Sequence, residues 1–355
     1  MKGKPQPPAH SIRIVALGGG TGLSTVLRGL KEYVSTRKKE PIPRPISDLA
    51  AVVTVTDDGG SSGRLRREYR VLPPGDIRNC MVALSNDEHL LGKLFQYRFP
   101  LGGGLAGHSF GNLFLTALTN VTGDFPEAVR VSSRVLAIRG RIYPSTAQNV
   151  TLEAQLEDGQ IVAGETNISR SRKPIRRVRL VPRRVRTVPE VLEAIREADL
   201  ILIGPGSLYT SIIPNLLIDK VVRAIVNSRA TCVYIANLMT QPGETQNYSV
   251  ADHVRAIYEH TREPIFDFVV VNKKPVPAFL LRRYRVQGAE PVQASLAELR
   301  RMGIRYVTGD FLHHNKVLRH DQSKLTRLLL QEFVDKRKHG RAARKQPVVR
   351  RSRGR

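Results

Sequence analysis

Two glycine-rich segments in this 355-residue chain have the composition of phosphate-binding loops. The first follows the predicted strand 12–17, and the second follows the predicted strand 199–203. Glycine lets the backbone approach a phosphate closely, and the N–H groups at the start of a following helix stabilise its charge. Tight structural turns are the alternative for both segments. The predicted phosphate contacts are Gly18, Gly19, Gly20, Thr21 and Gly22 in the first segment, and Gly204, Pro205, Gly206 and Ser207 in the second.

The first segment differs from the standard nucleotide motifs. Its glycines at 18, 20 and 22 form GxGxG, whereas the dinucleotide motif GxGxxG would need a glycine in place of Leu23. The chain also contains no GxxxxGK[ST] motif, so a P-loop NTPase is not supported. These loops therefore predict an anion-binding site without specifying which nucleotide fills it.

A pair of carboxylates, Asp57 and Asp58, follows a third predicted strand, 49–56. In Rossmann proteins an acid in this place binds the ribose hydroxyls, although here the connection is longer than the usual ~20 residues. Carboxylate oxygens also bind Mg²⁺, so Asp57 is the candidate metal ligand. Because Asp and Gly favour turns in any protein, a purely structural turn is the alternative.

Uncharged polar side chains complete the set of candidates. Asn79 ends the segment Pro-Pro-Gly-Asp-Ile-Arg-Asn, in which Asp76 is suited to cap a helix. Asn112 lies four residues after His108, so the two would share one helix face. Asn237 ends a further predicted strand, and its amide could read a base or a sugar. For each of these residues a capping or structural role is the alternative.

Strands and helices alternate along most of the chain, and this order must position the loops. Nearly all-apolar strands such as 49–56 are typical of a parallel sheet buried on both faces. The stretch of about 140–185 instead alternates apolar and polar residues around the turn Asp158-Gly159. We predict one α/β domain over 12–330, a Rossmann-like open, mostly parallel sheet with helices on both faces and a small antiparallel β insertion. The candidate residues would then converge at the carboxyl ends of the strands.

The chain carries a formal net charge of +26, from 57 Lys and Arg against 31 Asp and Glu. Segments 336–355 and 170–186 hold ten and nine basic residues and no acid, which is 19 of the 26. The first segment is predicted to be a disordered basic tail that could contact polyanions nonspecifically. No apolar run reaches the roughly 20 residues of a membrane span, and the two cysteines have no metal-binding or disulfide spacing. These features predict a cytoplasmic protein.

Six ordered motifs carry a resemblance to a known family. They are GGGTGLS at 18–24, TDDGGSSGRLR at 56–66, PPGDIRN at 73–79, GHSFGN at 107–112, IGPGSLYTS at 203–211 and NLMTQPGET at 237–245. Over roughly 12–330 the chain resembles the YvcK family of gluconeogenesis factors. That family is similar to the CofD 2-phospho-L-lactate transferases, which transfer a phospholactyl group from a guanosine diphosphate carrier to a deazaflavin.

The YvcK resemblance implies binding of a UDP-sugar, UDP-N-acetylglucosamine above all, and regulation of carbon metabolism, cell shape and envelope synthesis. The CofD resemblance leaves open a transferase that uses a nucleotide-activated donor. No catalytic residue is assigned and no cofactor is required, while Mg²⁺ bound with a nucleotide diphosphate is an open alternative. A regulatory protein partner and a homodimer are also left open. The resemblance assigns to the ligand the residues Gly18 to Gly22, Asp57, Asn79, Asn112, Gly204 to Ser207 and Asn237.

Overall fold

The computed structural model describes residues 11–35, 45–86, 90–100, 102–314 and 317–335. The predicted basic tail, 336–355, lies outside the described residues. Twelve strands occur in the described ranges, namely β1 (Ile12–Gly18), β2 (Ile46–Val53), β3 (Arg141–Pro144), β4 (Thr151–Leu156), β5 (Ile161–Ala163), β6 (Ile175–Val181), β7 (Leu200–Ile203), β8 (Thr231–Ile235), β9 (Phe268–Asn272), β10 (Arg305–Gly309), β11 (Leu312–His314) and β12 (Leu318–His320).

Helices connect the strands and pack around them. Their bounds are α1 (Gly20–Leu30), α2 (Gly60–Tyr69), α3 (Gly75–Leu84), α4 (Leu90–Gln96), α5 (Phe110–Thr122), α6 (Phe125–Val135), α7 (Glu165–Ser171), α8 (Pro189–Glu197), α9 (Ile213–Leu216), α10 (Asp219–Asn227), α11 (Val250–Thr261), α12 (Ala278–Val286), α13 (Leu296–Arg301) and α14 (Gln322–Leu330). None of the helices in the described residues is both long and apolar enough to cross a bilayer.

The central sheet has seven strands in the order β10-β9-β8-β7-β1-β2-β3, and every neighbouring pair is parallel. Strands β2 and β3 therefore lie on one side of β1, and β7 to β10 lie on the other side. This is the Rossmann strand order extended by one strand, and it confirms the predicted fold class. The switch point, where ligands bind in such sheets, lies between β1 and β7.

The hydrophobic pattern of the sequence explains the central sheet. Strand β7 is buried at all four positions, and β2 is buried from Leu49 to Val53. Helix α1 buries Leu23, Leu27 and Leu30 against the sheet, at the spacing of three and four residues that one helical face requires. These elements contribute to one large core.

A three-stranded antiparallel sheet, in the order β5-β4-β6, confirms the predicted β insertion. It is narrower than the predicted 140–185, because β3 at 141–144 is the edge strand of the central parallel sheet. The short hairpin β11–β12 is an additional antiparallel unit that the sequence pattern did not predict.

Candidate functional site

The loops after β1 and β7 meet at the switch point of the sheet. A Cβ atom on Gly22 would lie 2.3 Å from the carbonyl oxygen of Pro205 and 3.1 Å from the Cα of Gly206. Only glycine can occupy position 22 without pushing the two loops apart. The contact brings the two predicted phosphate-binding segments side by side.

A cavity of about 360 Å³ opens where these two loops meet. Its volume is within the range of about 300–1,000 Å³ that small-molecule sites occupy. Six of the sequence-predicted residues line it, namely Thr21, Gly22, Pro205, Gly206, Ser207 and Asn237. Eight do not, namely Gly18, Gly19, Gly20, Gly204, Asp57, Asp58, Asn79 and Asn112.

The amide of Asn237 holds the second glycine loop. Its Oδ1 accepts a hydrogen bond from the Gly206 N–H at 3.1 Å, and its Nδ2 donates to the Gly206 carbonyl at 2.8 Å. Beside it, Gln241 donates to Ser207 Oγ at 2.8 Å, and the Gln241 Oε1 is buried without a hydrogen-bond partner. A buried unpaired acceptor is costly. Gln241 therefore offers the cavity an acceptor for a ligand N–H or hydroxyl.

The hairpin β11–β12 supplies the charge of the cavity. Arg319 is the one Lys or Arg among the described lining residues, which include no Asp or Glu. Next to it, burial lowers the pKa of His320 to about 4, although a hydrogen bond to the Ala236 carbonyl opposes the shift. His320 is therefore neutral at physiological pH.

Sequence reasoning missed Arg319 and His320, which belong to no glycine loop and do not follow directly from a predicted strand. Gln241 lies in the segment 237–241, which ends a predicted strand with amides suited to a base or a sugar, but it was not among the predicted ligand contacts. The available signal was the density of histidine and basic residues at 313–320, ahead of an amphipathic helix.

A carboxylate already lies at the start of α1. The Gly20 N–H donates to Asp76, and a Cβ on Gly19 would lie 2.6 Å from Asp76 Oδ2. Gly18 ends β1, where its carbonyl accepts from the Thr54 N–H at 3.0 Å. The first three glycines thus serve strand pairing and close packing around Asp76 in this structure, whereas Thr21 and Gly22 face the cavity.

The two carboxylates after β2 have different local roles. Asp57 Oδ1 accepts from the Gly59 N–H at 2.9 Å, which closes the turn before α2. Asp58 Oδ1 accepts from the N–H and the hydroxyl of Thr166, at 2.9 and 2.7 Å, and so caps α7. Asp58 ties the β insertion to the core.

Negative charge accumulates around these carboxylates. Burial and the charge of Asp57 raise the pKa of Asp76 to about 7, against the hydrogen bond from Gly20. Burial and the same neighbouring acids raise the pKa of Glu165 well above its usual value. In the described residues no three or more His, Cys, Asp or Glu side chains could hold a metal ion together. Mg²⁺ bound with phosphates needs only one or two carboxylates, so Asp57 and Asp76 fit that mode.

A polar cluster lies beyond the carboxylates, and it contains the other predicted residues. Asn112 Nδ2 donates to Ser61 Oγ at 3.1 Å, and Ser61 Oγ and His108 Nδ1 are hydrogen-bonded at 3.0 Å. Arg78 donates to Asn79 Oδ1 at 2.7 Å. Burial lowers the pKa of His108, which favours its neutral ring. The cluster contains a serine–histidine pair, but these residues do not line the 360 Å³ cavity.

We expect the stability of the protein to fall as the pH rises because of Glu244. This carboxylate accepts from the Tyr209 N–H at 3.3 Å, and burial raises its pKa to about 7. The unfolded chain releases this proton near pH 4.5 and the folded chain near pH 7. Glu244 therefore makes its full contribution to the free energy of unfolding below the unfolded pKa. That contribution decreases by about 3 kcal/mol as the pH rises through 7.

Urea unfolding of Glu244→Gln between pH 5 and 8 checks this expectation. The variant should be less stable than the wild type at pH 5, where one hydrogen bond is lost, and more stable at pH 8. Glu193→Gln, on the exposed side of α8, is the control. A Glu244→Gln profile parallel to that of the wild type would contradict the assignment.

The comparisons with known proteins agree with this architecture. The family model for 2-phospho-L-lactate transferase CofD matches residues 14–312. The chain belongs to the CofD family. Within it, the gluconeogenesis factor of Bacillus subtilis (strain 168) is 47% identical over 319 residues, which cover 90% of this chain and 97% of that relative. The gluconeogenesis factor of Halalkalibacterium halodurans is 46% identical and covers 90% and 95%.

A crystal structure of a Bacillus halodurans protein shares the fold of this CofD-family chain. It has a TM-score of 0.85 and 45% sequence identity, and covers 90% of this chain and 99% of that one. The resemblance to the gluconeogenesis factors and to CofD is thus confirmed.

Proposed function

We propose that this CofD-family chain is a cytoplasmic UDP-sugar-binding protein that regulates carbon metabolism, cell shape and envelope synthesis. The observation that carries the proposal is the cavity at the switch point, built from two glycine loops and uncharged amides with Arg319 as its one described Lys or Arg. The gluconeogenesis factor names of its relatives support the metabolic role. A regulatory protein partner and a homodimer remain predictions.

The lining residues suit a nucleotide diphosphate linked to a sugar. The backbone N–H of Gly22, in the first turn of α1, favours an anion. The Arg319 guanidinium can pair with a phosphate in two hydrogen bonds. The free Gln241 acceptor suits a sugar hydroxyl or a base N–H. Tyr284 and Leu238 offer apolar surface for a ring.

The cavity favours binding over catalysis. Its hydroxyl groups, such as Ser207, have no carboxylate among the described lining residues to act as a base. The His320 ring donates to the Ala236 carbonyl, and within the described residues it makes no hydrogen bond to a cavity hydroxyl. The serine–histidine pair of Ser61 lies outside the lining. A ligand in this cavity would be held by groups suited to recognition.

The second candidate is a CofD-like transferase, which the family model favours. The pair Asp57 and Asp76 could hold Mg²⁺ on a diphosphate, and the adjacent Arg78 could stabilise charge on a transferred group. In that mechanism Mg²⁺ would neutralise the diphosphate, and the protein residues would position donor and acceptor. Asp57→Asn should then weaken nucleotide binding only in the presence of Mg²⁺.

Calorimetry with product analysis separates the two candidates. The wild-type chain is expected to bind UDP-N-acetylglucosamine more tightly than GDP, and the sugar nucleotide should be recovered unchanged after long incubation. Absence of heat with every uridine nucleotide would falsify the proposal. Consumption of a GDP-linked phospholactate donor in the presence of a deazaflavin would move the assignment to the transferase.

A further inference from the structure

Helix α12 presents an unusual surface to solvent. The side chains of Phe279 and Val286 are 65% and 89% exposed, and Leu280 is the one residue of this helix that is buried. The helix sequence AFLLRRYRV contains three arginines and no acid. Exposed single apolar residues are common, but an aromatic and an aliphatic residue on one basic helix form a pattern.

The spacing places these residues on one face. Positions 279, 282 and 286 are three, four and seven residues apart, so Phe279 and Val286 lie in line with Arg282 between them. Arg283 and Arg285 flank this line, and Arg285 also pairs with Glu290 at 3.0 Å. The outward face has an apolar centre bordered by cations.

The opposite face of α12 packs against the hairpin β11–β12, beside the ligand cavity. Leu280 packs with Leu312 and Leu318 in a small hydrophobic cluster that is separate from the main core. The Tyr284 hydroxyl accepts from the Leu318 N–H at 3.0 Å, and Tyr284 lines the cavity. These contacts hold the helix from the inside, and they involve neither Phe279 nor Val286.

Charge and hydrophobicity together select the partner of this face. A second copy of the same face would bring arginines against arginines, which repel. A nucleic acid would pair with the arginines but leave Phe279 and Val286 without an apolar environment. The interface of an anionic bilayer suits both the cations and the apolar side chains of this face. Its phosphates pair with arginine, and its acyl region accepts Phe279 and Val286.

We propose that α12 docks on the surface of an anionic membrane. Phe279 and Val286 enter the boundary between headgroups and acyl chains, and Arg282 between them pairs with a lipid phosphate. The helix lies in the plane of the surface and does not span the bilayer. This association is independent of UDP-sugar binding, so each can fail without the other.

The chain contains no tryptophan, which allows a direct test. In the full-length protein, Phe279→Trp introduces a single tryptophan on the outward face, and its emission is the reporter. Its emission should shift to the blue with vesicles of equal phosphatidylglycerol and phosphatidylcholine, and should not shift with phosphatidylcholine alone. Val121→Trp, at a position 82% exposed on α5, is the matched control and should not shift with either. Equal shifts at both positions, or none at position 279, would overturn the proposal.

Vesicle cosedimentation measures the affinity. Phe279→Ser combined with Val286→Ser keeps the net charge, so contacts through other basic segments are unchanged. Roughly ten-fold weaker binding to the anionic vesicles is expected, because two apolar side chains no longer leave water. Val121→Ser should bind like the wild type. Binding by the double variant equal to that of the wild type would assign the association to charge elsewhere, and would overturn the role of α12. If the wild type sediments with neither vesicle, the proposal also fails, and an acidic protein becomes the partner to seek.

Discussion

Replacement of Gly22 by alanine is expected to lower the free energy of unfolding by about 3 kcal/mol and to abolish ligand binding. The new Cβ would lie 2.3 Å from the Pro205 carbonyl oxygen, which is backbone and cannot rotate away. The two glycine loops must then separate, and the cavity between them loses its shape. Urea unfolding and calorimetry with UDP-N-acetylglucosamine measure the two effects.

Gly103→Ala is the matched control for this substitution. No atom lies within 4 Å of a Cβ at position 103, so stability and binding should stay within about 0.5 kcal/mol of the wild type. Gly20 is a poor choice for such an experiment, because its φ of +61° strains any β-branched residue whether or not a ligand binds. A fully stable Gly22→Ala protein would show that the loops can move apart at little cost.

Arg319→Ala is expected to weaken UDP-N-acetylglucosamine binding by roughly 30- to 100-fold, because a charge-assisted pair with a phosphate contributes about 2–3 kcal/mol. The side chain is exposed and makes no hydrogen bond or ion pair within the described residues, so stability should hardly change. Calorimetry at two salt concentrations measures the loss, which should be smaller at high salt.

Arg319→Lys distinguishes charge from geometry at this position. It should restore part of the affinity, since lysine keeps the charge but not the two-pronged hydrogen bonding of arginine. An alanine variant that binds like the wild type would place the diphosphate elsewhere, with the carboxylate pair of Asp57 and Asp76 as the next candidate.

The hydrophobic pattern was sufficient to predict the central strands and the order in which they alternate with helices. Strands buried on both faces must be almost entirely apolar, and this local property is visible in any stretch of sequence. The predicted ends of a strand differ from the observed ends where the loop residues that follow the strand are also buried. The predicted strand 49–56 is observed as Ile46–Val53, because Thr54, Val55 and Thr56 are buried beyond the end of the sheet pairing.

The composition of the two glycine loops predicted part of the site. Their composition predicted backbone groups at the edge of the sheet, and the parallel order of β1 and β7 brings them together. The sequence could not show that Asp76 accepts a hydrogen bond from the Gly20 N–H. Nor could it show that both the oxygen and the nitrogen of the Asn237 amide are hydrogen-bonded to Gly206. Both contacts join segments that are distant along the chain.

Which residues line the cavity together was decided by the tertiary structure. Arg319 lines the same cavity as Gly22 because the hairpin β11–β12 packs on α12 through Leu280, Leu312 and Leu318. Sequence determines which side chains can bind an anion, since that is a property of each residue and its neighbours. Which of them share a cavity depends on crossovers of tens to hundreds of residues, and these are decided by how the helices and strands pack.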